Sequence, residues 1–408
     1  MVKFIEKGAG FASGLKDFPK HINSHTITCG IISTIFGCTG PAVVTIAAAN
    51  TAGFTMEETV SWIFGIYVFG GLLGILLALY YKVPISGAYS IPGASMMGAA
   101  LTGYTFKQAA GAFIIAGVIV LIVGMSGAIG KIMKLLPLPI VMGMVGGCMM
   151  RFGVGIVSNS IKAPIVCAAS VLAFLVVPRI IKKFPGVLAA LIVGVITAAI
   201  TGQFIAASSA SYIAPQIVAP VFNLKLIISC SIPLAILVMG AENAQAMGVL
   251  KAQGYNVPSN SMTFFSGIGG IVSGFVGAHN ANIAGPMTAI CASDEAGPKE
   301  GRYAASVING ITFAAFGLVA SFAIAFVSFI PGALVSVLAG LAMINVLIQS
   351  LNEGFKNMKF KTGAFAAFIV GVANLPILGI GSAFWALLIG VIVALICDTK
   401  DFKQQKVA

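Results

Sequence analysis

Long apolar runs separated by short polar breaks fill almost the whole chain. A bilayer core takes about 20 apolar residues per helix. Runs of that kind fall at 26–49, 57–80, 107–129, 137–157, 162–184, 185–207, 225–250, 260–277, 300–329, 331–351, 361–376 and 379–397. Two shorter runs, 84–102 and 279–293, are broken by Gly and Pro. Together they predict about fourteen membrane segments. The one long polar-leaning connection, SSASYIAPQIVAPVFNL at 208–224, lies near the middle of the chain. It divides the segments into two groups of about seven, and an odd-numbered half forces the second half into inverted topology. The expected fold class is therefore an all-α membrane protein of two inverted repeats. The two broken runs fall third in each half. PISGAYSIPGASMMGAALT (84–102) and GAHNANIAGPMTAICAS (277–293) each pass from an extended stretch into a small-residue helix start. Pro92–Gly93 and Gly285–Pro286 mark those starts, because Pro suits the first helical turn and pushes the residue before it toward extended backbone. The alternative is a simple kink in each helix. Matching interruptions in two halves are the best sequence pointer to a transporter's binding site.

Composition agrees with this pattern: 59% of the 408 residues are hydrophobic and 8% charged, against about 25% charged in soluble domains. The formal net charge of +12 first raises nucleic acid as a partner. Its distribution excludes that. With the N-terminus placed in the cytoplasm, all of the 23 basic residues except Lys107, Arg151, Lys162 and Lys225 fall inside, among them Lys3, Lys131, Lys134, Lys182 and Lys183. That is the positive-inside bias. It predicts a multi-pass protein of a bacterial or archaeal cytoplasmic membrane with both termini inside. The opening stretch MVKFIEKGAGFASGLKDFPKH reads as an amphipathic lead-in on the membrane surface, without the apolar core of a cleavable signal. The seven cysteines are scattered, with no C-x-x-C pair. No metal and no cofactor is expected. No phosphate-binding loop, dinucleotide fingerprint or nucleophile–base–acid set is present, so an enzyme is not expected.

The chemistry concentrates in a few polar residues. Glu242 is the only acid deep inside an apolar run. A charge there costs about 2.5–3.5 kcal/mol on insertion scales, and the neutral form is the less costly one. Alternating between the two states would make it a proton-coupling group. It would otherwise be a structural hydrogen-bond hub. Gln245 shares its face at i, i+3, and Asn243 lies a quarter-turn away; either orients substrate or holds Glu242. His279, Asn280 and Asn282 precede the second broken helix, where His279 is either a proton relay or a turn cap. Two half-helix starts near mid-membrane, at Ser90, Gly93, Ala94 and Ser95 and at Ile283, Ala284 and Gly285, would aim unpaired N–H groups at an anion. Thr39, beside the Gly40–Pro41 break, supplies a hydroxyl or merely marks a kink. The expected partners are a small organic anion, a proton and membrane lipid.

The stretch GAHNANIAGPMTAICASDEAGPKEGRYAASVINGITFAAFG, residues 277–317, resembles the BenE family of benzoate:proton symporters, and residues 84–100 resemble that family's third segment. That family is similar in fold to uracil permease and to nucleobase and sulfate transporters. The resemblance implies a core of segments one to four and eight to eleven, and a gate of five to seven and twelve to fourteen. On this chain those ranges are a lead-in (1–25), core (26–130), gate (131–207), linker (208–224), core (225–329), gate (330–398) and tail (399–408). It also implies substrate between the half-helices, an acidic residue at Glu242, and pairing of two copies through gate helices. The expected function is proton-coupled symport of a small, aromatic carboxylate by alternating access. The open alternatives are a nucleobase substrate, an uncoupled anion uniporter or channel on the same fold, and a membrane-embedded enzyme or scaffold.

Overall fold

The computed structural model describes residues 5–127, 137–181, 184–205 and 211–402. Lys3, Lys131, Lys134, Lys182 and Lys183, and the expected domain boundaries at 130/131 and 207/208, lie outside the described residues. The chain is predominantly helical. Helices follow in the order α1 (Phe11–Asp17), α2 (Ser24–Cys38), α3 (Gly40–Ala52), α4 (Met56–Tyr81), α5 (Ile91–Ala100), α6 (Phe106–Ser126), α7 (Leu138–Ser160), α8 (Pro164–Ile180) and α9 (Gly186–Ile200). After the linker come α10 (Leu224–Ala252), α11 (Ser259–Gly274), α12 (Gly285–Ala292), α13 (Tyr303–Leu318), α14 (Ala320–Phe329), α15 (Gly332–Phe355), α16 (Lys361–Ala373) and α17 (Ser382–Cys397). Several starts are written locally. Asn23 with Thr26, Thr55 with Glu58, and Thr105 with Gln108 form reciprocal capping boxes, which satisfy donors that the first turn leaves open.

Among the described residues, six helices are long and apolar enough to cross a membrane, or seven if the bent pair α13–α14 is one span. The four helices α8, α9, α16 and α17 are apolar but only 10–17 residues long. The run 300–329, expected as one segment, bends by 64° between Leu318 and Ala320. Its first part is held against α4, where Gly317 lies on Tyr67 and Val68. The first run, 26–49, breaks at Thr39. Pro41 cannot donate to the carbonyl of Gly37, and the Tyr67 hydroxyl donates to it instead, at 2.7 Å.

The lead-in packs against the end of α4 and the start of α11. Gly10 N–H donates to the Tyr80 carbonyl (3.0 Å), and Gly14 sits on the backbone of Leu79. The Glu6 carboxylate accepts from the N–H groups of Asn260 and Ser261, at 2.9 and 2.8 Å. It thereby caps α11, which begins after Pro258 without a side-chain cap of its own. Asp17 accepts from Lys20 and Lys82 at 2.8 and 2.5 Å, and these two ammonium groups hold its carboxyl well below the usual range.

Packing pairs α4 with α13, α6 with α11, α2 with α13, α3 with α5 and α10 with α12. A second set pairs α7 with α15 and α16, α8 with α9, and α16 with α17. At the centre, strand β1 (Gly87–Ala88) pairs antiparallel with β2 (Asn282–Ile283), Gly87 opposite Ile283 and Ala88 opposite Asn282. β1 lies directly on the backbone of α4. A Cβ on Gly87 would stand 2.2 Å from the Gly70 carbonyl oxygen and 2.5 Å from the Gly74 nitrogen. Backbone atoms cannot swing aside, so Gly87→Ala is expected to cost about 1–3 kcal/mol, the usual range for overpacking. Thermal unfolding in detergent, read against Gly248→Ala, whose Cβ meets open space, checks this.

Candidate functional site

α10 is not a regular helix. Residues Ile227–Ser231 and Val238–Asn243 are π-helical turns, which are frequent where a helix carries function. Glu242 sits in the second turn, 7% exposed, with its carboxyl against the Ser90 hydroxyl and the Ile91 N–H at the start of α5. Two cavities share Glu242. One, of ≈ 280 Å³, is walled by Phe36, Tyr89, Met287 and Phe313, with Ala284 and Pro286 from the start of α12. The other, of ≈ 450 Å³, has Gln245, Gln349 and Ser350 on its walls and Pro92 and Pro286 at the two helix starts. A larger space of ≈ 1290 Å³ adjoins both through Ile91, Pro41 and Val346, and it reaches Thr39 and Arg179. The carboxyl, the starts of α5 and α12 and an aromatic wall therefore meet at one place.

The predicted residues divide. Glu242, Gln245, Ala284 and Thr39 line these cavities, although the Thr39 hydroxyl is bonded to the Ile35 carbonyl at 2.9 Å. Gly285 carries the side chain of Gln245 on its face. Asn243 does not line them; its Oδ1 accepts from Ser266 on α11 at 3.2 Å. The quarter-turn offset turns it toward the neighbouring helix. Ile283 packs in an apolar cluster with Ile85 and Leu250.

Ser90 is the hub of the remainder. Its hydroxyl caps α5 by accepting from Gly93 N–H at 3.0 Å, and its own N–H donates to Asn280 Oδ1 at 3.1 Å. Its carbonyl meets His279 Nε2 at 2.9 Å, while His279 Nδ1 accepts from the Trp62 indole N–H at 2.8 Å. An indole can only donate, so Nδ1 is bare and Nε2 carries the proton. His279 is fully buried and lines none of the three cavities; it is a strut from Trp62 to Ser90. Gly93 is packed beside Leu234 and Ala94 is buried. The Ser95 hydroxyl faces the Pro92 carbonyl and the Met149 sulfur. Asn282 is fully buried, with both side-chain polar atoms unpartnered.

The aromatic wall escaped the sequence reading. Tyr89 stacks with Phe313 at 6.3 Å and shares a 3.0 Å hydroxyl contact with Tyr67. Nothing in an apolar run separates a lining Phe from a core Phe. Among the described residues, no group of three or more His, Cys, Asp or Glu side chains could hold a metal.

Comparison with known proteins places the chain in a family. The family model for the benzoate membrane transport protein, BenE, matches residues 20–396. The inner membrane protein YdcO of Escherichia coli K12 is 28% identical over 383 residues, 92% of this chain and 98% of that protein. The benzoate membrane transport protein of Acinetobacter baylyi is 26% identical over 365 residues, 89% of this chain and 92% of that protein. In fold, the transmembrane domain of the cyanobacterial bicarbonate transporter BicA superposes with a TM-score of 0.62 at 15% identity, covering 92% of this chain and 98% of that one. The murine anion transporter Slc26a9 in its inward-facing state gives 0.60 at 15% identity, covering 94% and 70%. The family, the Acinetobacter relative and both solved structures are membrane transporters rather than enzymes, and the present chain is a multi-pass membrane protein of the same kind. With the family model spanning all but the chain's two ends, the protein belongs to the BenE family of membrane transporters.

Proposed function

We propose that the protein is a proton-coupled symporter of a small aromatic carboxylate such as benzoate, working by alternating access. The observation that carries this reading is Glu242 between two opposed half-helix starts, beside a wall of Phe36, Tyr89 and Phe313. The ring of an aromatic acid suits that wall, and its carboxylate suits the positive ends of α5 and α12. Glu242 takes the role of proton carrier, Gln245 and Ser90 orient the carboxylate, and His279 and Asn280 hold the site's frame. The family supports the substrate class, since the Acinetobacter relative is a benzoate transport protein by name.

The fold is read as about fourteen segments in two inverted repeats. Its packing supports that reading. Exchange of the two halves turns the pair α4–α13 into α11–α6, α3–α5 into α10–α12, and α8–α9 into α16–α17, and all of these pairs pack. The strand pair β1–β2 and the pair α7–α15 map onto themselves. In this scheme the first packing set is the core that carries the site and the second is the gate. Both termini lie in the cytoplasm, which puts Arg179 at the inner mouth of the large cavity.

The test is uptake of labelled benzoate into proteoliposomes under an imposed inward proton gradient. Accumulation that needs the gradient, and that unlabelled benzoate but not uracil or xanthine suppresses, is the expected result. Suppression by uracil or xanthine would put a nucleobase in the site. Uptake that ignores the gradient would make the protein a uniporter.

A further inference from the structure

A half-buried cation, Arg151, lies away from the central site. Arg151 stands well inside α7, nine residues before its end. No carboxylate pairs with it among the described residues. Its Nη2 donates to the Ser95 carbonyl on α5, and its guanidinium lies 5.1 Å from the centre of the Phe152 ring. Its Nε is buried and has no hydrogen-bond partner. A cation in a span that keeps only neutral partners is costly, and such residues mark ion and substrate paths.

The space around it fits that role. Arg151 is the one residue common to two cavities. The first, of ≈ 440 Å³, lies between Ala99 and Ala100 on α5 and the 374–382 turn, and adds Ser229, Asn374 and Ser382. The second, of ≈ 590 Å³, adds Thr51, Asn159 and Ser336. In the second, the Thr51 and Ser336 hydroxyls and the Asn159 amide all donate to their own helices. In the first, Ser382 donates to Asn374 Oδ1 at 3.1 Å, which turns that amide's oxygen away from an anion and leaves its NH₂ group as the donor. The first cavity therefore offers a guanidinium edge and an amide. It touches the far end of α5, whose near end, Ile91 and Pro92, lines the cavities at Glu242. Arg179 ends α8, and the short 161–163 turn joins α8 to the Arg151 end of α7, so the two arginines face opposite mouths.

We propose that Arg151, with Asn374, is a carboxylate-binding site on the face opposite Arg179, where the anion is held before it passes along α5 to Glu242. The guanidinium fork matches a carboxylate edge. Its bond to Ser95 then links arrival of the anion to the position of the half-helix. This rests on the transport reading above, and two measurements separate the two.

The first measurement needs no transport. Wild-type protein in native membrane vesicles is treated with phenylglyoxal, with and without millimolar benzoate, acetate or uracil, and labelling at each of the three arginines is read by mass spectrometry. Benzoate and acetate should protect Arg151 and leave exposed Arg179 labelled, and uracil should protect neither. Equal labelling of Arg151 under all conditions overturns the site. The second compares Arg151→Gln and Arg151→Lys in right-side-out and inside-out vesicles. The Gln variant should raise the benzoate KM about tenfold or more from the Arg151 face and less than about twofold from the other, with Lys in between. Equal changes from both faces would make Arg151 a structural pin and overturn the proposal. If wild type carries no benzoate, protection alone decides the site, and the transport reading is what fails.

Discussion

Glu242→Gln is expected to abolish gradient-driven accumulation of benzoate, to about 1% of wild type or less, while leaving benzoate exchange across the membrane within several-fold of wild type. Gln keeps the length of the side chain and an oxygen to accept from the Ser90 hydroxyl and the Ile91 N–H. It cannot take up or release a proton. A ligand shifts a conformational equilibrium only by its differential affinity for the two states, and the same holds for a proton on a buried acid. With that site fixed as neutral, the carrier can still turn over with substrate bound, which exchange reports, but the gradient has nothing to act on. Exchange and gradient-driven uptake measured on one proteoliposome preparation separate these. If accumulation survives in the variant, Glu242 is a hydrogen-bond hub and the coupling proton lies elsewhere. If exchange is lost as well while the protein keeps its thermal stability, the carboxylate contacts substrate directly.

The site was partly legible because Pro and Gly act locally. Ser90–Ile91–Pro92 and Ala284–Gly285–Pro286 announce helix starts whatever surrounds them, and the structure begins α5 and α12 there. An acid in an apolar run is equally plain, so Glu242 stood out. What hydrophobic period cannot carry is contact between residues far apart in the chain. Glu6 caps a helix that starts more than 250 residues later, and no pattern in the lead-in announces it. The sequence counts about fourteen apolar runs by window, yet α8, α9, α16 and α17 are shorter than the usual crossing length. Single prolines, Pro185 before α9 and Pro376 between α16 and α17, stand at their turns. Arg151 looked like a loop-side cation because it stands near the end of a run; its contact with the Ser95 carbonyl depends on α5 coming alongside α7. The sequence left His279 open as a proton relay or a turn cap, and Asn243 as orienting substrate or holding Glu242. Both serve neighbours that are themselves polar, Trp62 with Ser90 and Ser266.

That assignment of His279 makes its own prediction. His279→Ala should destabilise the protein by about 2–4 kcal/mol, since it leaves the Trp62 indole N–H buried without an acceptor and opens a cavity. The Ser90 carbonyl keeps a partner in Ala94 N–H at 2.9 Å, so the loss falls mainly on the Trp62 side. The sharper variant is His279→Gln, whose amide can offer an oxygen to the indole and an N–H to Ser90. A strut predicts that Gln restores most of the stability and leaves the pH dependence of benzoate uptake unchanged, with a raised KM because Ser90 positions the start of α5. A relay predicts the reverse, since an amide carries no proton and coupling would fail as it does in Glu242→Gln. The geometry favours the strut. Nδ1 already faces a donor at 2.8 Å and Nε2 faces a carbonyl at 2.9 Å, so a second proton on the ring would meet the indole N–H head on. Uptake of His279→Gln measured from pH 5.5 to 8.5 decides between them, because only a strut leaves the profile parallel to that of wild type.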